Sequence, residues 1–114
     1  MTNKILIVDD DADIRDSLSD ALGDEGYHVR FATNGREALS LLATSKRPRG
    51  IILDLAMPVM GGVEFFAAMR AVPAWADIPV LISTSDPTGA PIGVHVMNKP
   101  FDLARLLSLV TALF

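Results

Sequence analysis

Three stretches of this chain are apolar without interruption: Ile5-Leu6-Ile7-Val8, Ile51-Ile52-Leu53 and Val80-Leu81-Ile82. A strand with one face in water alternates apolar and polar residues, so an unbroken run marks a strand covered on both faces, as in a parallel sheet. The rest of the chain has to supply that cover. Between the runs the spacing turns helical: Ile14, Leu18, Ala21 and Leu22 share one face of a first helix, Ala38, Leu39, Leu41 and Leu42 mark a short second one, and Val63, Phe65, Phe66 and Met69 give a third. Residues 101–114 give a last amphipathic helix with Leu103, Leu106, Leu107 and Val110 inward. Residues 27–32 alternate as a half-exposed strand should, and residues 94–97 read as a short fifth strand. The order is βαβαβαβ, an irregular link, then βα, which predicts an α/β fold: a doubly wound five-stranded parallel sheet, order 2-1-3-4-5, with right-handed crossovers.

Turn chemistry agrees with these boundaries. Asp11 is placed to cap the first helix, Gly23 and Gly26 end it, and Asn34-Gly35 signals a turn. Met57-Pro58 forbids helix continuation at that point, and Gly61-Gly62 supplies a permissive backbone from which a new helix leaves. At 114 residues, half of them hydrophobic, the expectation is one domain over residues 1–114. The net charge of -4 argues against a nucleic-acid binder, and the absence of cysteine excludes disulfides, thiolate catalysis and Cys-ligated zinc. No segment has the length of a membrane span or signal peptide, so the expected location is cytoplasmic.

The covered strands end on acid. The first delivers Asp9, Asp10 and Asp11, and the third delivers Asp54. In a 2-1-3-4-5 sheet the ends of strands 1 and 3 flank the topological switch point, where such sheets bind ligands. Asp9 and Asp10 are thus expected beside Asp54. Crowded carboxylates repel, so one keeps its proton or a cation neutralises them. An all-oxygen set favours a hard ion, and with few protein ligands Mg2+ fits better than a calcium cage. The fourth strand adds the hydroxyl of Thr84 and the fifth the ammonium of Lys99. Such a set suits phosphoryl transfer onto a carboxylate: Asp54 as nucleophile forming an acyl phosphate, Lys99 and Thr84 taking up phosphoryl charge.

With ILIVDDD at the first strand, DLAMPVMGG at the third, PVLISTS at the fourth and NKPF at the fifth, the chain resembles the receiver domain of two-component response regulators along essentially its whole length. The resemblance implies a flavodoxin-like fold, Asp54 as phosphoacceptor, and Asp9, Asp10 and the backbone carbonyl of Ala56 at a Mg2+ ion with Asp54. It makes Thr84 the switching hydroxyl and Lys99 the phosphoryl-contacting lysine. It implies a histidine kinase or histidine phosphotransfer protein as donor and a downstream protein as target, in a signalling module that is not an enzyme. Two departures stand out. Only fourteen residues separate Thr84 from Lys99, with two prolines and two glycines among residues 86–93, so the family's helix between strands 4 and 5 is expected to be absent or reduced to a turn. The position three before the lysine, commonly aromatic in the family, is Val96.

Other readings compete residue by residue. Asp9-Asp10-Asp11 could merely cap a helix, but one Asp suffices for that. An EF-hand fails because Ile14 stands where the turn glycine must be. Lys99 could be a solvated lysine and Thr84-Ser85 a cap. His28 and His95 read as strand-surface residues, Met57, Met60 and Met69 as packing, Trp75 as a loop anchor, and Lys46, Arg47 and Arg49 as a solvated turn. At the level of function, a phosphorylation-independent interaction module on the same fold is the alternative. A haloacid-dehalogenase-type phosphatase with Asp9 as nucleophile ranks below it. Without the helix after strand 4, a monomer is expected.

Overall fold

The computed structural model describes residues 3–114. The five strands are β1 (Lys4–Val8), β2 (His28–Ala32), β3 (Gly50–Leu53), β4 (Val80–Thr84) and β5 (His95–Asn98). They form one sheet in the order β2-β1-β3-β4-β5, and every pairing is parallel. The helices are α1 (Ala12–Asp24), α2 (Gly35–Thr44), α3 (Gly62–Arg70) and α4 (Leu103–Leu113). The expected topology is the observed one. No helix lies between β4 and β5, so the link of residues 85–94 is a chain of turns.

The unbroken apolar runs are buried on both faces, as their lack of alternation requires. Leu6, Val8, Ile51, Leu53 and Ile82 face a core shared with Ala38 and Leu42 of α2 and Phe65 and Met69 of α3. Ile5, Ile7, Ile52, Leu81 and Met97 face a second core with Leu18 and Leu22 of α1 and Leu106 and Val110 of α4. Each fully buried Leu, Ile or Phe contributes about 1.5–3 kcal/mol, so the sheet's two sides together hold the strand ends rigidly. Leu103, expected inward, is 40% exposed at the first residue of α4, which starts there and not at residue 101. Among the described residues no helix is long and apolar enough to cross a membrane.

Local chemistry fixes where the helices begin. The Asp11 carboxylate accepts from the backbone N–H of Asp13 at 2.9 Å and of Ile14 at 3.3 Å, so Asp11 caps α1 as expected. Asn34 caps α2 by accepting from Glu37 N–H at 2.9 Å, and the Glu37 carboxylate reaches back to the N–H of Thr33, a reciprocal arrangement that satisfies donors on both sides of the cap. At the far end of α3, Arg70 stacks over Phe66 at 4.6 Å and donates to the carbonyls of Ala76 and Ile78, pinning the α3–β4 connection.

Candidate functional site

Sheet register brings the acids together. Val8 pairs with Leu53, so the residues that follow them, Asp9 and Asp54, stand side by side at the sheet's C-terminal edge. Each backbone is held by the neighbouring strand: Asp9 N–H donates to the Ala32 carbonyl at 3.0 Å and Asp54 N–H to the Val8 carbonyl at 2.9 Å. Asp9 is 3% exposed and Asp54 7%, while Asp10 lies open to solvent. One carboxylate oxygen from each of Asp9, Asp10 and Asp54 lies within 4.8 Å of the others.

Lys99 answers the repulsion that this crowding creates. Its backbone N–H donates to the Thr84 carbonyl at 2.8 Å, carrying the β4–β5 ladder one step past Asn98. Its Nζ then donates to Asp9 Oδ2 at 2.7 Å and lies 3.6 Å from Asp54 Oδ2. Asp9 Oδ1 accepts from Asp11 N–H at 2.9 Å, and Asp54 Oδ1 accepts a longer bond from Ala56 N–H at 3.4 Å. Asp9 is therefore the better satisfied of the two. Burial raises the pKa of the Asp54 carboxyl above the ordinary aspartate range, Lys99 opposes that shift, and the Asp9 charge adds to it.

The loop between β3 and α3 is built without slack. A Cβ on Gly62 would fall 2.2 Å from the Asp54 carbonyl oxygen and 2.8 Å from Leu55 Cα, so only glycine fits there. Gly35 at the start of α2 is equally confined against Met60 and Phe65, and its N–H donates to the Met60 carbonyl at 2.8 Å. Between them Met60 N–H donates to the Pro58 carbonyl at 2.8 Å, closing a γ-turn with Val59 at φ 69°. A β-branched residue at positive φ is strained, and nothing in the sequence around Pro58 announces it.

Of the residues singled out from sequence, Asp9, Asp10, Asp54 and Lys99 converge. Thr84 ends β4 on the neighbouring strand, but its hydroxyl bonds the Asp86 backbone, donating to the carbonyl at 3.2 Å and accepting from the N–H at 3.3 Å. Ala56 follows Asp54 by two residues and is exposed. Val96 packs partly buried against the α2–α3 core. The basic turn is not merely solvated: Arg47 pairs with Asp77 at 2.7 Å, and Arg49 donates to the Phe114 carbonyl at 2.9 Å. Sequence reasoning passed over Ser83, which is 1% exposed with a hydroxyl that has no hydrogen-bond partner. Counting by twos along β4 from the buried Leu81 would have put it on the face of the sheet that Asp54 shares.

Among the described residues this is the one cluster of three acids, histidines or cysteines close enough to share a metal ion. A donor set of carboxylate oxygens, two of them buried, suits a hard divalent cation. The family model of the response regulator receiver domain matches residues 5–111. The response regulator MprA of Mycolicibacterium vanbaalenii is 38% identical over 120 residues, covering 99% of this chain and 51% of that protein. The chain thus spans about half the length of that curated relative. The chemotaxis response regulator CheY4 of Vibrio cholerae has a similar structure, with a TM-score of 0.89, 36% identity and all of both chains covered. The response regulator TrrA of Thermotoga maritima, solved in complex with Mg2+-BeF, gives a TM-score of 0.86 at 28% identity, again over all of both chains.

Proposed function

Because this chain belongs to the family of response regulator receiver domains, we propose that it is the phosphoacceptor of a two-component or phosphorelay system and that Asp54 is its acceptor. Asp9, Asp10, Asp54 and the Ala56 carbonyl would hold Mg2+. What supports this most is the placement of Asp54: a nearly buried carboxylate at a strand end, with a lysine ammonium at 3.6 Å and two further acids within 4.8 Å.

The chain's own groups divide the work. An Asp54 oxygen attacks the phosphorus of a phosphohistidine, forming a P–O bond as the P–N bond breaks, and the electron pair leaves with the imidazole nitrogen. Bound at the three carboxylates, Mg2+ would shield the incoming phosphoryl oxygens from their charge. Lys99, already beside Asp54, is placed to take up charge on a phosphoryl oxygen. Thr84 can donate to that group only by releasing the Asp86 carbonyl, so its change of partner would carry the phosphorylation state into the link of residues 85–94. The donor would be a histidine kinase or histidine phosphotransfer protein, and the output a contact with a downstream protein in the cytoplasm.

The test is intact mass after incubation with a small-molecule phosphodonor, with and without Mg2+, for the wild type and Asp54→Asn. One added phosphoryl group that needs Mg2+ and is missing from the variant is the expected result. Uptake that persists in Asp54→Asn would refute the assignment.

A further inference from the structure

Ser83 is the buried polar side chain that the phosphoryl chemistry leaves unused. Its hydroxyl and the Arg15 Nε are the two buried side-chain polar groups among the described residues without a hydrogen-bond partner. Strand register locates it. Leu53 pairs with Ile82, so Asp54 and Ser83 form the next rung of β3 and β4. Ile7, Ile52, Leu81 and Met97 all face the α1–α4 core, and residues two further along each strand project on the same side. That puts Asp9, Asp54, Ser83 and Lys99 on one face. Because β4 lies between β3 and β5, Ser83 sits between the strand that ends on Asp54 and the strand that leads to Lys99. The Lys99 side chain crosses the β4 track to bring Nζ 2.7 Å from Asp9 and 3.6 Å from Asp54.

A buried hydroxyl without a partner costs free energy that an alanine would not. A cost confined to one arrangement of a molecule tips the balance toward any other in which the group is satisfied. The polar side chain whose path along this face runs past Ser83 is that of Lys99. Resting on the phosphoacceptor reading above, we propose that Ser83 is a positioning residue, the second seat of the Lys99 ammonium. While Asp9 carries an uncommitted charge, Lys99 is drawn to it and Ser83 is left alone. Once a divalent cation claims the Asp9 carboxylate, Lys99 withdraws along β4 and donates to Ser83 Oγ. A hydroxyl accepts and donates at once, so the Ser83 O–H turns to Asp54 and the ammonium stays beside the phosphoacceptor.

Calorimetric titration with Mg2+ tests this on the wild type, Ser83→Ala, Ser83→Thr, Ser83→Cys, Lys99→Met and the Ser83→Ala/Lys99→Met pair. Ser83→Ala should weaken Mg2+ binding about tenfold, the worth of one hydrogen bond to a charged group. Ser83→Thr should restore it, and Ser83→Cys, which keeps the volume but bonds weakly, should match alanine. In the Lys99→Met background Ser83→Ala should change nothing further, an interaction that a purely structural serine would not show. Thermal melts in chelator should find Ser83→Ala at least as stable as the wild type. Equal Mg2+ affinity in wild type and Ser83→Ala, or an equal loss with Lys99 removed, would overturn the role of Ser83 and leave the phosphoacceptor reading standing. A wild type that takes up no Mg2+ would overturn both.

Discussion

The two loops that leave β3 and β4 at the same edge of the sheet are built on opposite terms. After β3 the chain is confined: a Cβ on Gly62 would run into the Asp54 carbonyl, one on Gly35 into Met60, and Val59 holds a positive φ. After β4 it is looser, held to the α2–α3 core by the partly buried Ala90 and Val94. Gly89 and Gly93 have open space around them, Ile92 is fully exposed, and the hydrogen bonds within the link join near neighbours, Thr88 N–H to Asp86 Oδ1 at 3.0 Å and Ala90 N–H to the Pro87 carbonyl at 3.0 Å. The first loop surrounds the Asp54 carboxylate proposed as the phosphoacceptor. The second carries no helix, and the sheet itself holds β5 and Lys99 through the β4–β5 pairing and the bond from Lys99 N–H to the Thr84 carbonyl.

The sharpest way to break this contrast is Gly62→Ala. Its new Cβ meets backbone and not a yielding side-chain tip, so it should cost about 3 kcal/mol or more in chemical denaturation and disturb Asp54 at the same time. Next comes Lys99→Met, which leaves Asp9 and Asp54 buried without their cation. In chelator it should lose roughly 3 kcal/mol, and a melt that does not move would mean that the pair is not stabilising.

Asp54→Asn should act in the other direction. Burial holds the Asp54 carboxyl above its ordinary range, so folding favours its protonated form relative to the unfolded chain. That preference contributes fully below the unfolded pKa and is lost as pH rises through the higher folded value. At neutral pH without metal the ionised carboxylate opposes folding. Asp54→Asn should therefore raise Tm at pH 7, and the gain should shrink as pH falls toward the ordinary aspartate range. A gain that is constant with pH would assign the effect to something other than ionisation. Smaller still, Val59→Gly should relieve the strained φ and add roughly 0.5–1 kcal/mol after the entropic cost of glycine. Ile92→Ser in the loose link should stay within about 0.5 kcal/mol of the wild type by denaturant melt. A larger loss would show that Ile92 is packed after all.

The fold was legible because its evidence is local. Unbroken runs, helical spacing and caps such as Asp11 each declare themselves within a few residues. So did the missing helix, since the count from Thr84 to Lys99 leaves it no room. The site was legible as far as strand ends define it, which covers Asp9, Asp10, Asp54 and Lys99. What escaped depends on how distant segments meet. The engagement of Thr84 by Asp86 follows from the path of an irregular link, and the Arg47–Asp77 pair joins turns thirty residues apart. Ser83 was hidden by its type: a serine ending an apolar strand reads as a boundary until register places it beside Asp54. Val59 gave the opposite of a signal, since a β-branched residue argues against the φ it adopts.

The short link also changes the order in which the sheet can assemble. Leu81 meets His95, fourteen residues on, whereas Ile5 meets Val29 after twenty-four, Ile51 meets Val80 after twenty-nine and Ile5 meets Gly50 after forty-five. Closing the shortest of these costs about 1 kcal/mol less chain entropy than closing the longest. The β4–β5 pair is then the cheapest to form, although it lies at the sheet's edge, and pulsed amide exchange during refolding would read that as early protection of Val96 and Met97. The strand that leads to Lys99 can join early, while the pairing that unites Asp9 with Asp54 carries the highest entropic toll. The charged cluster is completed from its cation inward.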